Sequence, residues 1–186
     1  MAVHDATQNG RLDAQIVLVV GSKAGAPALQ RASEAGLPVV VIDPLAEGYE
    51  AALFAAFNEA GVDAIALAGF LRRLPSGIVG AFRHKIVNTH PALLPSFGGK
   101  GMYGHYVHEA VLAYGAKVSG CTVHFVDEEY DTGPVILQKV VSIEDTDTPE
   151  TLAARVLPEE HAALVEALQL LATGQLQVEG RIVRRI

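Results

Sequence analysis

The chain has no tryptophan, one cysteine and only 19% charged residues, and each scarcity excludes a class of protein. A single thiol, Cys121, closes no internal disulfide and falls far short of a zinc ligand set. That argues against a disulfide scaffold and suits a reducing, cytoplasmic location. So little charge beside 50% hydrophobic residues excludes a disordered polyelectrolyte. Lys and Arg number 14 against 21 Asp and Glu, a net charge of −7, and no basic run occurs. Nucleic acid and anionic membranes are therefore poor partners, since affinity for both comes largely from neutralising phosphate. A small anionic substrate needs only a local cradle and stays open. Long apolar runs are lacking too. The strongest, residues 16–20 and 64–71, fall well below the ~18 residues of a membrane span. The first dozen residues are polar, with no basic start leading into an apolar run, and do not read as a signal peptide.

What is present is 186 residues, one domain's worth and enough for a sizeable core. No repeat, low-complexity tract or Ser/Pro-rich linker interrupts them, so residues 1–186 are expected to form one continuous domain. Short β-branched runs alternate with helical spacing. Strands are predicted at 16–20, 39–42, 64–68 and 86–88, and helices at 27–36, 49–61 and 75–82. This alternation predicts an α/β fold, Rossmann-like, with a mostly parallel sheet and helices on both faces. Two β-prone runs follow at 118–126 and 135–143, either antiparallel or joined through a wider loop. Thr148-Pro149 has the pattern of a helix start, an N-cap followed by a pre-organised proline. That helix should run to residue 173, kinked at Pro158, and residues 175–185 should form a hairpin.

Ligands of open α/β sheets sit beyond the carboxyl ends of strands. Three places qualify: 21–23, 69–74 and the segment after Asn88. Gly21-Ser22-Lys23-Ala24-Gly25 matches neither dinucleotide nor phosphate-loop spacing, and a plain strand-to-helix turn is the better reading. Asn88-Thr89-His90-Pro91 is more unusual. Residues two apart on an extended backbone share a face, and Pro91 holds His90 extended. The pair offers an amide donor and an imidazole that titrates near neutral pH. A loop histidine packed on prolines fits the same spacing equally well. Residues 127–134 (DEEYDTGP) read either as a solvated acidic turn or as a carboxylate turned inward beside a histidine. His124 fits both a core and a pocket position. The glycine-rich stretch 98–104 is a loop or a flap. His105 and His108, three apart, lack a third ligand of suitable type, which argues against a metal site.

Taken together, LAGFLRRL (67–74), NTHPALLP (88–95), GGKGMYGHYVHEAVL (98–112) and SGCTVHFVDEEYDTGPVILQ (119–138) closely resemble the phosphoribosylglycinamide formyltransferases. These belong to the wider folate formyltransferase superfamily, and the resemblance spans about residues 10–175. It implies transfer of a formyl group from 10-formyltetrahydrofolate, a co-substrate, to the amine of phosphoribosylglycinamide in purine biosynthesis, with no tightly bound cofactor. The family's catalytic trio falls on Asn88, His90 and Asp131, with His90 expected to act as an imidazolium donor. Its folate-binding stretch falls on Leu71, Arg72, Arg73 and Leu74, and its pterin-closing loop on residues 125–131, with Phe125, Val126, Asp127 and Tyr130 beside Asp131. Gly69 and Glu160 match positions near the ribonucleotide. Partners are thus small molecules, while nothing here sets an oligomeric state.

The resemblance has a gap. Members begin with a strand and a Gly-Ser-Asn loop that binds phosphate, whereas residues 2–20 here resemble the end of the following helix and the second strand. Ala46 stands where members often carry an arginine, and Pro158 lies close to Glu160 in a helical segment. The first central strand is therefore expected to be missing, with open strand edges on both neighbours and weak ribotide binding. Two other functions compete: a formyl-folate hydrolase, in which water replaces the amine, and a folate-binding protein without activity. Residues 98–104 argue against the first, and the Asn88, His90 and Asp131 set against the second.

Overall fold

A computed structural model describes all 186 residues. Its elements are α1 (Ala2–Gln8), β1 (Val19–Gly21), α2 (Pro27–Glu34), β2 (Val39–Val41), α3 (Tyr49–Ala60), β3 (Ile65–Leu67) and α4 (Ser76–Ala81), followed by β4 (Ile86–His90), α5 (His105–Tyr114), β5 (Val118–Phe125), β6 (Val135–Ser142), α6 (Pro149–Ala172), β7 (Leu176–Glu179) and β8 (Ile182–Arg185). The alternation read from the sequence is present, with shorter strands. The run 16–20 contributes only Val19 and Val20 to β1, because pairing with β2 begins at Val19 opposite Val39.

Pairing is parallel for β1–β2 and β3–β4, but antiparallel for β4–β5 and β5–β6. The expectation of a mostly parallel sheet therefore holds only for the first half of the chain. The cause is the excursion after β4. The loop 91–104 and α5 return the chain to the end of the sheet it left, so that β5 starts beside the end of β4, Thr122 opposite His90. The two late β-prone runs pair directly, and β7–β8 is the expected hairpin.

The strands lie in three sheets: β1-β2, β3-β4-β5-β6 and β7-β8. β1 and β3 each have a neighbour on one side only. Both nonetheless pack on one apolar cluster, in which Leu53, Phe57, Ile78, Val79 and Ile86 are buried and Val20, Ile65 and Leu67 lie against them. Side chains alternate across a strand, and β4 shows what this does. Ile86 joins that α3/α4 cluster, whereas its neighbour Val87 joins the larger core with Val111 of α5 and Leu152, Val156 and Leu164 of α6. Helices thus cover both faces. Asn88 and His90 follow Ile86 in the two-residue period and share the α3/α4 face.

α6 begins as its sequence predicts. The Thr148 and Thr151 hydroxyls each accept the other's backbone N–H, at 3.4 and 2.9 Å, and Asp147 is paired with Arg155. The helix continues through Pro158 to Ala172. Proline removes the bond to the carbonyl four residues back, which belongs to exposed Ala154, where water can satisfy it. No helix is long and apolar enough to cross a membrane.

Candidate active site

The carboxyl end of β4 brings Asn88 and His90 to one face, and the antiparallel register sets His124 opposite Asn88 and Thr122 opposite His90. Thr122 has no exposed surface and anchors the chain as it leaves β4. Its hydroxyl donates to the Ala92 carbonyl at 2.7 Å and accepts from the Leu94 amide at 3.0 Å and the Gln138 side chain at 2.9 Å. The loop is thereby turned back so that the Phe97 carbonyl accepts the Nε2–H of His90 at 2.8 Å.

Asp131 arrives from the loop between β5 and β6. It takes φ +57°, a left-handed conformation that a non-glycine residue adopts only against resistance. Gly133 permits the turn, since a Cβ there would collide with the Phe125 carbonyl. The Asp131 carboxylate accepts the Gly99 amide at 2.8 Å, faces His90 Nδ1 at 3.5 Å and lies 3.7 Å from His124 Nε2. The glycine-rich stretch thus supplies a backbone donor to the acid.

Electrostatics distribute the charge. Burial pushes the Asp131 carboxyl up, but His124 when its ring is protonated, the Gly99 amide and His90 outweigh it and hold the group below the usual carboxylate range. His90 moves the other way from the imidazolium expectation. Its burial outweighs Asp131 and the Phe97 carbonyl, with His124 adding to the effect, so its pKa is lowered and the neutral ring is favoured.

On the same face an open cavity of about 570 Å³ is lined by Tyr49, Arg72, Arg73, Leu74, Glu129 and Tyr130, among others. Arg73 ties its two walls together, donating to the Glu128 carbonyl at 3.1 Å and the Glu129 carboxylate at 2.9 Å. Asp127 organises the second wall by accepting from the Glu129 amide and the Thr132 hydroxyl.

The structure therefore gathers Asn88, His90 and Asp131, and it places Arg72, Arg73, Leu74 and Tyr130 around one cavity. Leu71 is exposed beside them, and Gly69 turns the chain after β3 with φ +66°. Val126 packs against the α3/α4 cluster. The Phe125 side chain, 1% exposed, lies in the core on the opposite face, so only its backbone faces the site. Glu160 stands on α6, which covers that opposite face, and no hydrogen bond or ion pair joins it to the trio. Tyr49, Thr122 and the Phe97 carbonyl were not singled out in the sequence, and Gly99 was marked only as part of the glycine-rich stretch 98–104. Of the first three, only Thr122 carried a signal there, its two-residue spacing from His124. His105 pairs with Glu109 and Glu150 at the surface, while His108 is buried with Nδ1 unpaired, so the two rings point into different surroundings. Gly21 is a packing glycine, since a Cβ there would meet Leu29.

An α/β sheet ending in an Asn–His pair beside an inward carboxylate gathers an amide donor, an imidazole and an acid at one point. The sequence profile described as "Formyl transferase" matches residues 1–168, and the chain belongs to that family. It is 43% identical over 171 residues to the chloroplastic phosphoribosylglycinamide formyltransferase of Arabidopsis thaliana, covering 89% of this chain and 59% of that one. The chain thus spans less than two thirds of that relative's length. The crystal structure of glycinamide ribonucleotide transformylase 1 from Symbiobacterium toebii superimposes with a TM-score of 0.91 at 39% identity, covering 100% of this chain and 87% of that one. A formyltetrahydrofolate deformylase from Pseudomonas syringae shares the fold, with a TM-score of 0.88 at 23% identity, covering 100% of this chain and 61% of that one.

Proposed function

We propose that the chain transfers the formyl group of 10-formyltetrahydrofolate to the amine of phosphoribosylglycinamide. One observation carries the reading: Asn88, His90 and Asp131, 43 positions apart at the extremes, converge at the end of β4 beside a cavity lined by Arg72, Arg73 and Tyr130. The residue types suit the chemistry. The amine nitrogen bonds to the formyl carbon, an oxyanion grows on the former carbonyl oxygen, and the bond to the folate nitrogen then breaks. The amine loses one proton and the folate nitrogen gains one. Asn88 can donate to the oxyanion, and one such donor is typically worth roughly 10²–10³ in rate. His90, favoured neutral, is placed to take up a proton and pass it on, with the Asp131 carboxylate stabilising the charge that then appears on the ring. The folate occupies the Arg72–Tyr130 cavity, with Leu71, Asp127 and the backbone at Phe125 and Val126 in the chain segments next to its lining. Gly69 and Glu160 serve the ribotide side. A fully buried thiol at Cys121, pushed up to about 11 by burial, suits a reducing cytosol.

The test is an assay that counts formylated amine against free formate. His90→Ala is expected to lower turnover at least ~10²-fold, about the weight of one acid–base group. Unchanged turnover removes His90 from the mechanism. Formate in place of formylated amine gives the hydrolase reading, for which the deformylase fold is the supporting observation.

A further inference from the structure

His124 is a third buried imidazole in the site, 2% exposed, and its surroundings set its tautomer. Its Nδ1 lies 2.8 Å from the Phe125 carbonyl oxygen, which can only accept, so Nδ1 carries a proton. In the neutral ring Nε2 is then a bare lone pair. The Asn88 side-chain nitrogen lies 3.2 Å from that lone pair and donates one N–H into it. This matters because a carboxamide has two ends of nearly equal size and opposite function. Only the amino end donates to a developing oxyanion. With one N–H held by His124, the second stays on the same end, free to donate, and the Asn88 oxygen is turned away from the ring.

We propose that His124, as its neutral Nδ1–H tautomer, is a positioning residue that holds the Asn88 carboxamide with its amino end towards the formyl oxygen. This rests on the formyl-transfer reading for its purpose, though not for its geometry. The competing arrangement is present in the same site. Asp131 Oδ1 lies 3.7 Å from the same Nε2. A ring protonated there turns towards the carboxylate and ceases to accept from Asn88. Two donors then face each other, and the carboxamide turns its oxygen to the ring. Asn88 at 3.2 Å is within hydrogen-bond length and Asp131 at 3.7 Å is beyond it, so the first arrangement is the one the strand register builds.

Two measurements test this. Long-range proton–nitrogen NMR correlation of the unaltered chain, with the His124 ring assigned by its loss in His124→Phe, is expected to show a protonated Nδ1 and a bare Nε2. A protonated Nε2 overturns the proposal whether or not the chain turns over. The second is a kinetic cycle. His124→Phe keeps a ring without an acceptor and should lower kcat at least ~10-fold, part of what one oxyanion donor carries, with both KM values within about twofold. His124→Gln restores an acceptor and should recover most of the loss. In an Asn88→Ala background, His124→Phe should cost less than about twofold more, because residues acting as a unit are not additive. A full second loss there means His124 acts independently of Asn88 and sinks the proposal. Absence of formyl transfer by the unaltered chain counts against the functional reading alone, and the ring tautomer still decides the positioning role.

Discussion

Replacing Glu160 by glutamine should stabilise the protein at alkaline pH and do almost nothing in acid. Burial in α6 alone pushes the Glu160 carboxyl up, from its ordinary 4.5 to about 7, and no partner offsets it. A carboxyl with a raised folded-state pKa binds its proton more tightly when folded. Its cost is therefore absent below pH 4.5, grows as pH rises towards 7, and stays constant above. The shift of 7 − 4.5 = 2.5 pH units corresponds to about 3 kcal/mol at roughly 1.4 kcal/mol per unit. Against a typical stability of about 5–15 kcal/mol, that is a large fraction. Glutamine has nearly the same shape and no charge to desolvate, so Glu160→Gln should recover most of it at pH 8. Urea unfolding of both proteins at pH 4.5 and pH 8 is the assay. Comparing the two proteins at each pH cancels every other titrating group, His90 included. The gain should be near zero at pH 4.5 and about 2–3 kcal/mol at pH 8. A gain equal at both values would show that burial does not hold this carboxyl in its protonated form, and the reasoning would fail.

Two further outcomes follow from the same geometry. The Asp131 carboxyl is held below its ordinary value, so its contribution is complete above about pH 4 and is lost as pH falls through the folded value. Asp131→Asn should flatten that part of an acid-unfolding curve followed by circular dichroism, and an unchanged acid limb would remove the Gly99 amide as its stabiliser. Thr122→Val keeps volume but strands the Ala92 carbonyl, the Leu94 amide and one Gln138 N–H. It should cost about 2–4 kcal/mol in urea unfolding, and a loss below about 0.5 kcal/mol would show that these groups find other partners.

Much of this arrangement could be read along the chain because its signals are local. The two-residue spacing of Asn88 and His90, the Thr148-Pro149 start of α6 and the β7–β8 hairpin depend on neighbours a few positions away. What could not be read depends on partners distant in sequence. Nothing between residues 91 and 117 states that the chain returns to the end of the sheet it left, so the antiparallel pairing of β5 with β4 was not foreseen, while that of β5 with β6 was one of two alternatives. Phe125 lies in the stretch matching a folate loop, yet strand alternation sends its ring to the core. His90 was expected to be charged because an aspartate was expected beside it. The aspartate is there, but the depth of burial decides the balance, and depth is not written in spacing. His124 stayed undecided for the same reason, since only its register opposite Asn88 gives the ring a role.

β1 and β3 each leave one flank of main-chain donors and acceptors without a partner strand, while β2 shows Val39 and Val41 to solvent. Such flanks act as templates: any extended chain that reaches them can zip on, one amide at a time, whatever its side chains. Colloidal behaviour is thereby linked to the fold itself. Association through these flanks should rise with protein concentration and respond little to salt, because main-chain hydrogen bonds rather than charges would carry it.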